Sequence, residues 1–344
     1  MWCASLLVLA MAGAAELGAA GLNDDLSLWV AGQGGRVQRD AKGAIDSVDL
    51  TSTWITDADL VRVGALGHVR SLNLSHTKIT DVGMQYLKGL TGVTDLNLYY
   101  AEYITEDGIA PLKGWTSLER LNLRGTKVTS KVFEHLAHLA SLRSLDLAYT
   151  QIDDEDFEQL AALTHLEELA IGGNRLTGAA LPLLKLLPAL RSLDVCGIQR
   201  VDSGLWGLAL TDGNLQQIAA LTQLRSLKLS GANLNDVGAD RPERTQSRSE
   251  LRDLSKLRAL VNLESLDLSN TPVSDDALEA LRVLPKLREL RLGLAKNIDD
   301  RAVPVLLSMA SLDCLYVAGS SLTEQGIEQL RKSGRFRTLD TGKL

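Results

Sequence analysis

Residues 72–90 read Leu72-Asn73-Leu74-Ser75-His76-Thr77-Lys78-Ile79-Thr80-Asp81, then Val82-Gly83-Met84-Gln85-Tyr86-Leu87-Lys88-Gly89-Leu90. Leu72-Asn73-Leu74 alternates apolar and polar, which predicts a short strand with both leucines inward and Asn73 outward. Thr77-Lys78-Ile79 then returns an apolar side chain to the core. A hydroxyl at Thr77 is placed to hydrogen-bond the turning backbone, whose amides would otherwise be buried unpaired. Thr80 suits a helix N-cap and Asp81 the positive end of a helix. Met84, Leu87 and Leu90 follow at helical i, i+3 spacing. The stretch is one strand-turn-helix coil, too small to bury its apolar side alone.

The same grammar recurs. Aligned on the second apolar residue, the strand cores end at Leu50, Leu74, Leu98, Leu123, Leu147, Ile171, Val195, Leu229, Leu268, Leu292 and Val317. The first steps are 74 − 50 = 24, 98 − 74 = 24, 123 − 98 = 25, 147 − 123 = 24, 171 − 147 = 24 and 195 − 171 = 24. After 229 − 195 = 34 and 268 − 229 = 39, the steps return to 292 − 268 = 24 and 317 − 292 = 25. The threonine recurs as Thr53, Thr126, Thr150 and Thr271, with Asn174 in one unit. Such a period predicts stacked units, each burying its neighbour's apolar face.

This pattern resembles the leucine-rich-repeat family over roughly residues 45–330. Its form, Leu-x-Leu-x-x-Thr-x-Ile-Thr-Asp-x-x-Leu, is similar to the variant of exported bacterial repeat proteins. It is also similar to repeats of F-box substrate receptors and the ribonuclease-inhibitor group. The resemblance implies an α/β solenoid: a right-handed horseshoe of about eleven repeats, with parallel strands on the concave side and helices on the convex side.

The organisation that follows is a signal peptide over 1–20, an N-terminal cap over 21–47, the solenoid over 48–330 and a C-terminal cap over 331–344. The apolar run from Met1 to Ala15 has the length of a secretory signal, with small residues suited to cleavage after Ala14 or Ala20. No Lys or Arg precedes the run, and Glu16 ends it short of a membrane span. Export is therefore expected, with no membrane span in the mature chain and a cytoplasmic location as the alternative. Gly35–Arg39 and Ala44–Val48 are expected to form a hairpin around Asp40-Ala41-Lys42-Gly43, covering the first repeat. Arg331–Leu344, polar apart from Phe336 and Leu339, is expected to close the other end.

Composition narrows the function. Hydrophobic residues make up 45% of the chain but aromatics only 4%, so the core is aliphatic and layered. A net charge of −7 argues against a nucleic-acid partner, which requires a basic face. Three cysteines are too few for a disulfide framework or a thiolate metal site. Cys196 and Cys314 lie four strand steps apart, ~19 Å at ~4.8 Å per strand, and should be free thiols. The acidic groups Asp153-Asp154-Glu155-Asp156, Asp275-Asp276 and Asp299-Asp300 fall at strand-to-helix turns and read as helix-start charges. None has the ligand order and glycine of a calcium loop. His135 and His138 share a helix, but no second ligand pair accompanies them. No nucleophile motif or phosphate loop is present, so no catalytic residue, metal or cofactor is assigned.

The expected binding surface is the concave face. Most of its positions are small or acidic: Ser47, Asp49, Ser71, Asn73, Ser144, Asp146, Ser192 and Asp194. Tyr99, Tyr100, Arg120, Arg124 and Tyr149 stand out as occupants of equivalent positions in three consecutive repeats. Tyr and Arg combine apolar area with hydrogen bonding and dominate interface energetics. A Tyr–Arg stack serving only stability is the alternative. Arg291 with Tyr316 forms a smaller echo. The long steps place insertions at 201–213, carrying Trp206, and at 239–250, carrying Arg241, Arg244 and Arg248; loops on a rigid scaffold often hold function. The sequence thus points to a non-catalytic module binding a protein or peptide. A cytoplasmic adaptor like the F-box receptors and a structural envelope component are the alternatives.

Overall fold

The computed structural model describes residues 19–197, 208, 211–231 and 253–342, with side chains from residue 24. The chain divides after Lys127 into two compact units.

The first unit opens with the helix Ala19–Gly32, which buries Leu26 and Val30. A hairpin follows: β1 (Arg36–Arg39) runs antiparallel to β2 (Ile45–Asp49), with Val37 opposite Val48. Asp40 closes its turn by accepting the Lys42 and Ala44 backbone N–H groups at 2.8 and 2.9 Å. From β2 onward the strands are parallel and follow sequence order: β3 (Ser71–Asn73), β4 (Asp95–Asn97) and β5 (Arg120–Asn122). Their central residues pair Val48 to Leu72, Leu72 to Leu96 and Leu96 to Leu121.

The second unit continues the pattern with β6 (Ser144–Asp146), β7 (Glu168–Ala170), β8 (Ser192–Asp194) and β9 (Ser226–Lys228). Next come β10 (Ser265–Asp267), β11 (Glu289–Arg291), β12 (Cys314–Tyr316) and β13 (Thr338–Asp340). The long steps on either side of β9 do not disturb the register: Leu193 pairs with Leu227, and Leu227 with Leu266. The eleven strand cores read from the sequence are β2 to β12. Each is an α/β leucine-rich-repeat strand, followed by a turn and a short helix, and the sheet of each unit is open.

The C-terminal segment differs from the polar cap expected over 331–344. The helix Glu324–Lys332 runs into it, and Leu339 of β13 pairs in register with Leu315. A further repeat is therefore present. Its second inward position is taken by the buried Thr341 rather than by a leucine, which hid the motif.

The turn chemistry works as the spacing implied. Thr53, Thr77, Thr126, Thr150 and Thr271 each donate their hydroxyl to the carbonyl three residues earlier. Asn174 donates its amide to Ile171 O at 2.9 Å and Leu147 O at 2.7 Å, and its Oδ1 accepts from Thr150. It thereby ties two repeats where threonine serves one. The helical segments vary more than the strands. Phe157–Ala162, Leu181–Leu186 and Ser255–Ala259 are 3-10 turns, whose three-residue period eclipses i, i+3 side chains such as Phe157 and Leu160. The core contains few rings; Phe133 and Phe157 meet edge to face at 4.8 Å, and Trp115 is fully buried.

Candidate functional site

The outward position of each strand bears on function only where the fold leaves it free. Asp49, Asn73, Asn97, Asn122, Asp146, Asp194, Asp267 and Asp340 all use Oδ1 to accept the backbone N–H two residues on, at 2.8–3.1 Å. These Asx turns bend the chain out of the strand and satisfy an amide with no sheet partner. The small and acidic positions of the strand face are thus largely structural. The position departs from Asp or Asn at Ala170, Lys228, Arg291 and Tyr316. Arg291 lies 4.1 Å over the Tyr316 ring and donates to Glu289 at 2.8 Å. Lys228 pairs with Asp194 at 3.5 Å.

The Tyr and Arg residues singled out in the sequence occupy three registers rather than one. Arg120 sits inside β5 and clasps the Asp95 carboxylate of β4 with two nitrogens. Tyr99 and Arg124 share the position just after the strand, their backbone N–H groups held by Asn97 and Asn122. Tyr100 and Tyr149 share the next position, where the backbone turns left-handed with φ of 53° and 56°. In the first unit, His76 stacks on Tyr100 at 5.6 Å, and Tyr99 meets His76 and Tyr100 edge to face at 5.0 and 4.8 Å. Tyr149 belongs to the second unit, where its ring covers Gly173. Trp206, with 201–207 and 209–210 of the insertion around it, and Arg241, Arg244 and Arg248 lie outside the described residues, while the end of that insertion starts the helix Asp212–Ala219.

The left-handed position recurs as Ser52, His76, Tyr100, Gly125, Tyr149, Gly173, Gly231, Asn270, Leu294, Gly319 and Gly342. For a residue with a Cβ this conformation costs about 1–2 kcal/mol. The large occupants offset it by lying over a glycine in the next repeat: Tyr100 over Gly125, Tyr149 over Gly173 and Leu294 over Gly319. A Cβ on any of those glycines would strike the covering side chain.

The acidic groups tie one repeat to the next. The carboxylates of Asp57, Asp81 and Asp154 each accept the backbone N–H and hydroxyl of the next cap threonine: Thr80, Thr105 and Thr177, at 2.7–2.8 Å. Asp300 holds Thr323 in the same way. Gly83, Gly108 and Gly326 lie against these carboxylates with no room for a Cβ. The charge-at-helix-start explanation is therefore incomplete, because the partner is mainly the following repeat. At Asp275 the cap residue is Asp299, which has no hydroxyl to give. Asp275 accepts only its backbone N–H at 3.1 Å, beside Arg301 at 3.2 Å. Burial, opposed by that N–H and reinforced by the Asp299 charge, pushes the Asp275 carboxyl up to about 6. Hydrogen bonds from Arg301 hold Asp299 below the ordinary carboxylate range.

Among the described residues, no group of three His, Cys, Asp or Glu side chains is arranged to hold a metal ion. Cys196 and Cys314 are free. Burial, then Asp194, pushes the Cys196 thiol well above its ordinary value, leaving it protonated and unreactive.

Sequence reasoning missed His76 and the residues just beyond the left-handed turn: Trp54, Lys78, Tyr103 and Lys127, all exposed. A usable signal was their place immediately before the buried Ile55, Ile79, Ile104 and Val128. An aromatic at such a position is unsupported by core packing and is notable in a chain with 4% aromatics.

The Leucine Rich repeat family model matches residues 68–88, 138–161 and 259–281. No curated protein matches the sequence. Among solved structures, an internalin of Listeria monocytogenes aligns over 96% of this chain and 100% of its own, at 19% identity and a TM-score of 0.58. The receptor of a TLR13–ssRNA13 complex aligns over 89% of this chain and 43% of its own, at 21% identity and 0.52. A chain of the mouse RP105/MD-1 complex aligns over 86% and 50%, at 16% identity and 0.52. At these identities the likeness is one of fold.

Proposed function

We propose that this chain, a leucine-rich-repeat protein, is a non-catalytic recognition module that binds a protein or peptide. Repeat proteins of this class generally mediate macromolecular contact, and nothing in the described residues is built for chemistry. The observation that carries the proposal is the surface cluster of the exposed His76 with the half-buried Tyr99 and Tyr100. Elsewhere on the strand face the Asp and Asn side chains are consumed by their own turns. Rings held rigidly at a surface give contact area at little entropic cost, as interface hot spots require. Arg124 occupies the register position equivalent to Tyr99 in the next repeat, and Arg120 is committed to Asp95. Arg291 over Tyr316 is a second, smaller contact point in the second unit. The RNA of the TLR13 complex does not transfer to this chain, whose net charge of −7 opposes phosphate.

Export is part of the proposal. The apolar run at residues 1–15 supports it, and cleavage after Ala14 or Ala20 would leave Leu26 and Val30, the buried residues of the first helix, in place. N-terminal sequencing of the mature protein checks this; an intact Met1 would favour a cytoplasmic adaptor.

The binding test is a crosslinking capture from the native host, comparing wild type with a His76→Ala, Tyr99→Ala, Tyr100→Ala triple variant after circular dichroism shows that both fold. A partner held by wild type and lost by the variant is expected. A partner held equally by both would remove the patch from the proposal.

A further inference from the structure

In the first unit, the residue immediately before the first buried aliphatic of each turn is Trp54, Lys78, Tyr103 and Lys127 in successive repeats. Aromatic and cation alternate. The Lys78 ammonium stands 4.8 Å over the Trp54 ring, and the Lys127 ammonium 5.4 Å over the Tyr103 ring. Even so, Trp54 remains 80% and Tyr103 49% exposed. Among the described residues, neither ammonium has a carboxylate within 4 Å. By contrast, Arg39, Arg70 and Arg120 of the same unit are paired with Asp24, Asp46 and Asp95. Glu102, the extra residue of the 25-residue step, is exposed and pairs with neither lysine. Two positive charges are therefore propped on rings and left unneutralised, in a chain where acids outnumber bases 43 to 36.

The spacing selects among acidic partners. Parallel strands stand ~4.8 Å apart, so Trp54 to Tyr103 and Lys78 to Lys127 each span two steps, ~10 Å. An extended β-strand presents same-face side chains every ~6.7 Å and does not match. A polyproline II helix has three residues per turn at ~3.1 Å each, so positions i and i+3 recur on one face every ~9.3 Å. It is also preformed, and it docks on exposed aromatic rings with little ordering cost.

We propose that this row is a docking surface for an acidic polyproline II segment of another protein. Carboxylates three residues apart meet Lys78 and Lys127, and the intervening proline rings lie against Trp54 and Tyr103. The row uses none of the Tyr and Arg residues of the strand-face patch, so it stands or falls apart from that reading.

The test is fluorescence anisotropy of a labelled peptide of repeated Asp-Pro-Pro triplets titrated with the full chain. Saturable binding is expected, weakened about five-fold or more by Trp54→Ala and by Lys127→Gln. Matching thermal melts would show that these exposed substitutions leave the fold intact. A flexible peptide of Asp-Gly-Ser triplets, equal in charge, is expected to bind at least about five-fold more weakly, because it must be ordered on binding. No saturable binding, equal binding of the flexible peptide, or full binding by the Trp54→Ala, Lys127→Gln double variant would each overturn the proposal. So would loss of binding with Tyr99→Ala and Arg124→Ala but not with Trp54→Ala, which moves the peptide to the strand-face patch. Stronger displacement by polygalacturonate than by unlabelled Asp-Pro-Pro peptide would reassign the row to an acidic glycan.

Discussion

The turn edges of the two units share a backbone and differ in what they carry. In the first unit the left-handed position holds Ser52, His76, Tyr100 and Gly125, with Tyr99 beside it and Trp54, Lys78, Tyr103 and Lys127 just beyond the turns. In the second unit the left-handed position holds Gly173, Gly231, Asn270, Leu294, Gly319 and Gly342 after Tyr149. There Ser269, Gly293, Leu294, Ala318, Gly319, Thr341 and Gly342 line a shallow groove of about 570 Å³, and Lys296 is spent on the Gly319 carbonyl at 2.6 Å. The interiors barely differ: Leu96 and Leu145 occupy the same strand position and are both buried. Identical cores with unlike edges show where the constraint of folding ends. A repeat dictates its inward leucines, its Asx turn and its inter-repeat carboxylate, while the residue that reverses the chain need only tolerate positive φ.

The strongest test of the shared interior is paired truncation. Leu96→Ala and Leu145→Ala should each destabilise by ~2–5 kcal/mol in chemical denaturation. A negligible loss for either would break the equivalence of the two units at the core. Next in size are the inter-repeat carboxylates. Asp81→Ala in the first unit leaves the part-buried Thr105 N–H and hydroxyl without an acceptor, for ~1–3 kcal/mol. Asp154→Ala in the second, where the Thr177 groups are exposed to water, should cost less. Unchanged denaturation midpoints would mean that water replaces these carboxylates at no cost. Gly125→Ala and Gly173→Ala come third, at ~1–2 kcal/mol, because each forces a Cβ into left-handed backbone beneath a tyrosine ring. If Tyr100→Ala rescues Gly125→Ala, the ring is the obstacle; without rescue, the backbone is.

The smallest effect separates the units by pH. The Asp275 carboxyl sits at about 6 when folded and nearer 3.8 when unfolded. Between those values the folded chain binds more protons, so this group's contribution is greatest in acid and falls as pH rises through about 6. Relative to Asp275→Asn, wild type should lose stability in urea between pH 5 and pH 7. A constant difference across that range would contradict the assignment.

The sequence made the fold legible because its period and its Leu-x-Leu pairs are properties of the core, where burial leaves little choice. It missed β13 because Thr341 replaces a leucine there, and polar flanks masked the repeat. The site was only partly legible. Counting Tyr and Arg found Tyr99, Tyr100 and Arg124, and the 25- and 24-residue steps already set Arg120 beside Asp95 and Tyr149 beside Gly173. A count of residue types, however, does not ask what lies at the equivalent position of the next repeat. The left-handed residue is Ser, His, Tyr, Gly, Asn or Leu in different repeats, with no shared chemistry for a sequence pattern to catch.

The central claim, recognition through the turn edge of the first unit, is tested most directly by a photocrosslinking residue placed at Tyr100 in one variant and at Leu294 in another. Both positions share the same left-handed place in the repeat. Irradiation in the native host should yield a discrete protein adduct from position 100, in higher yield than any from position 294. Adducts from position 294 alone would place the binding surface on the second unit's groove and contradict the account.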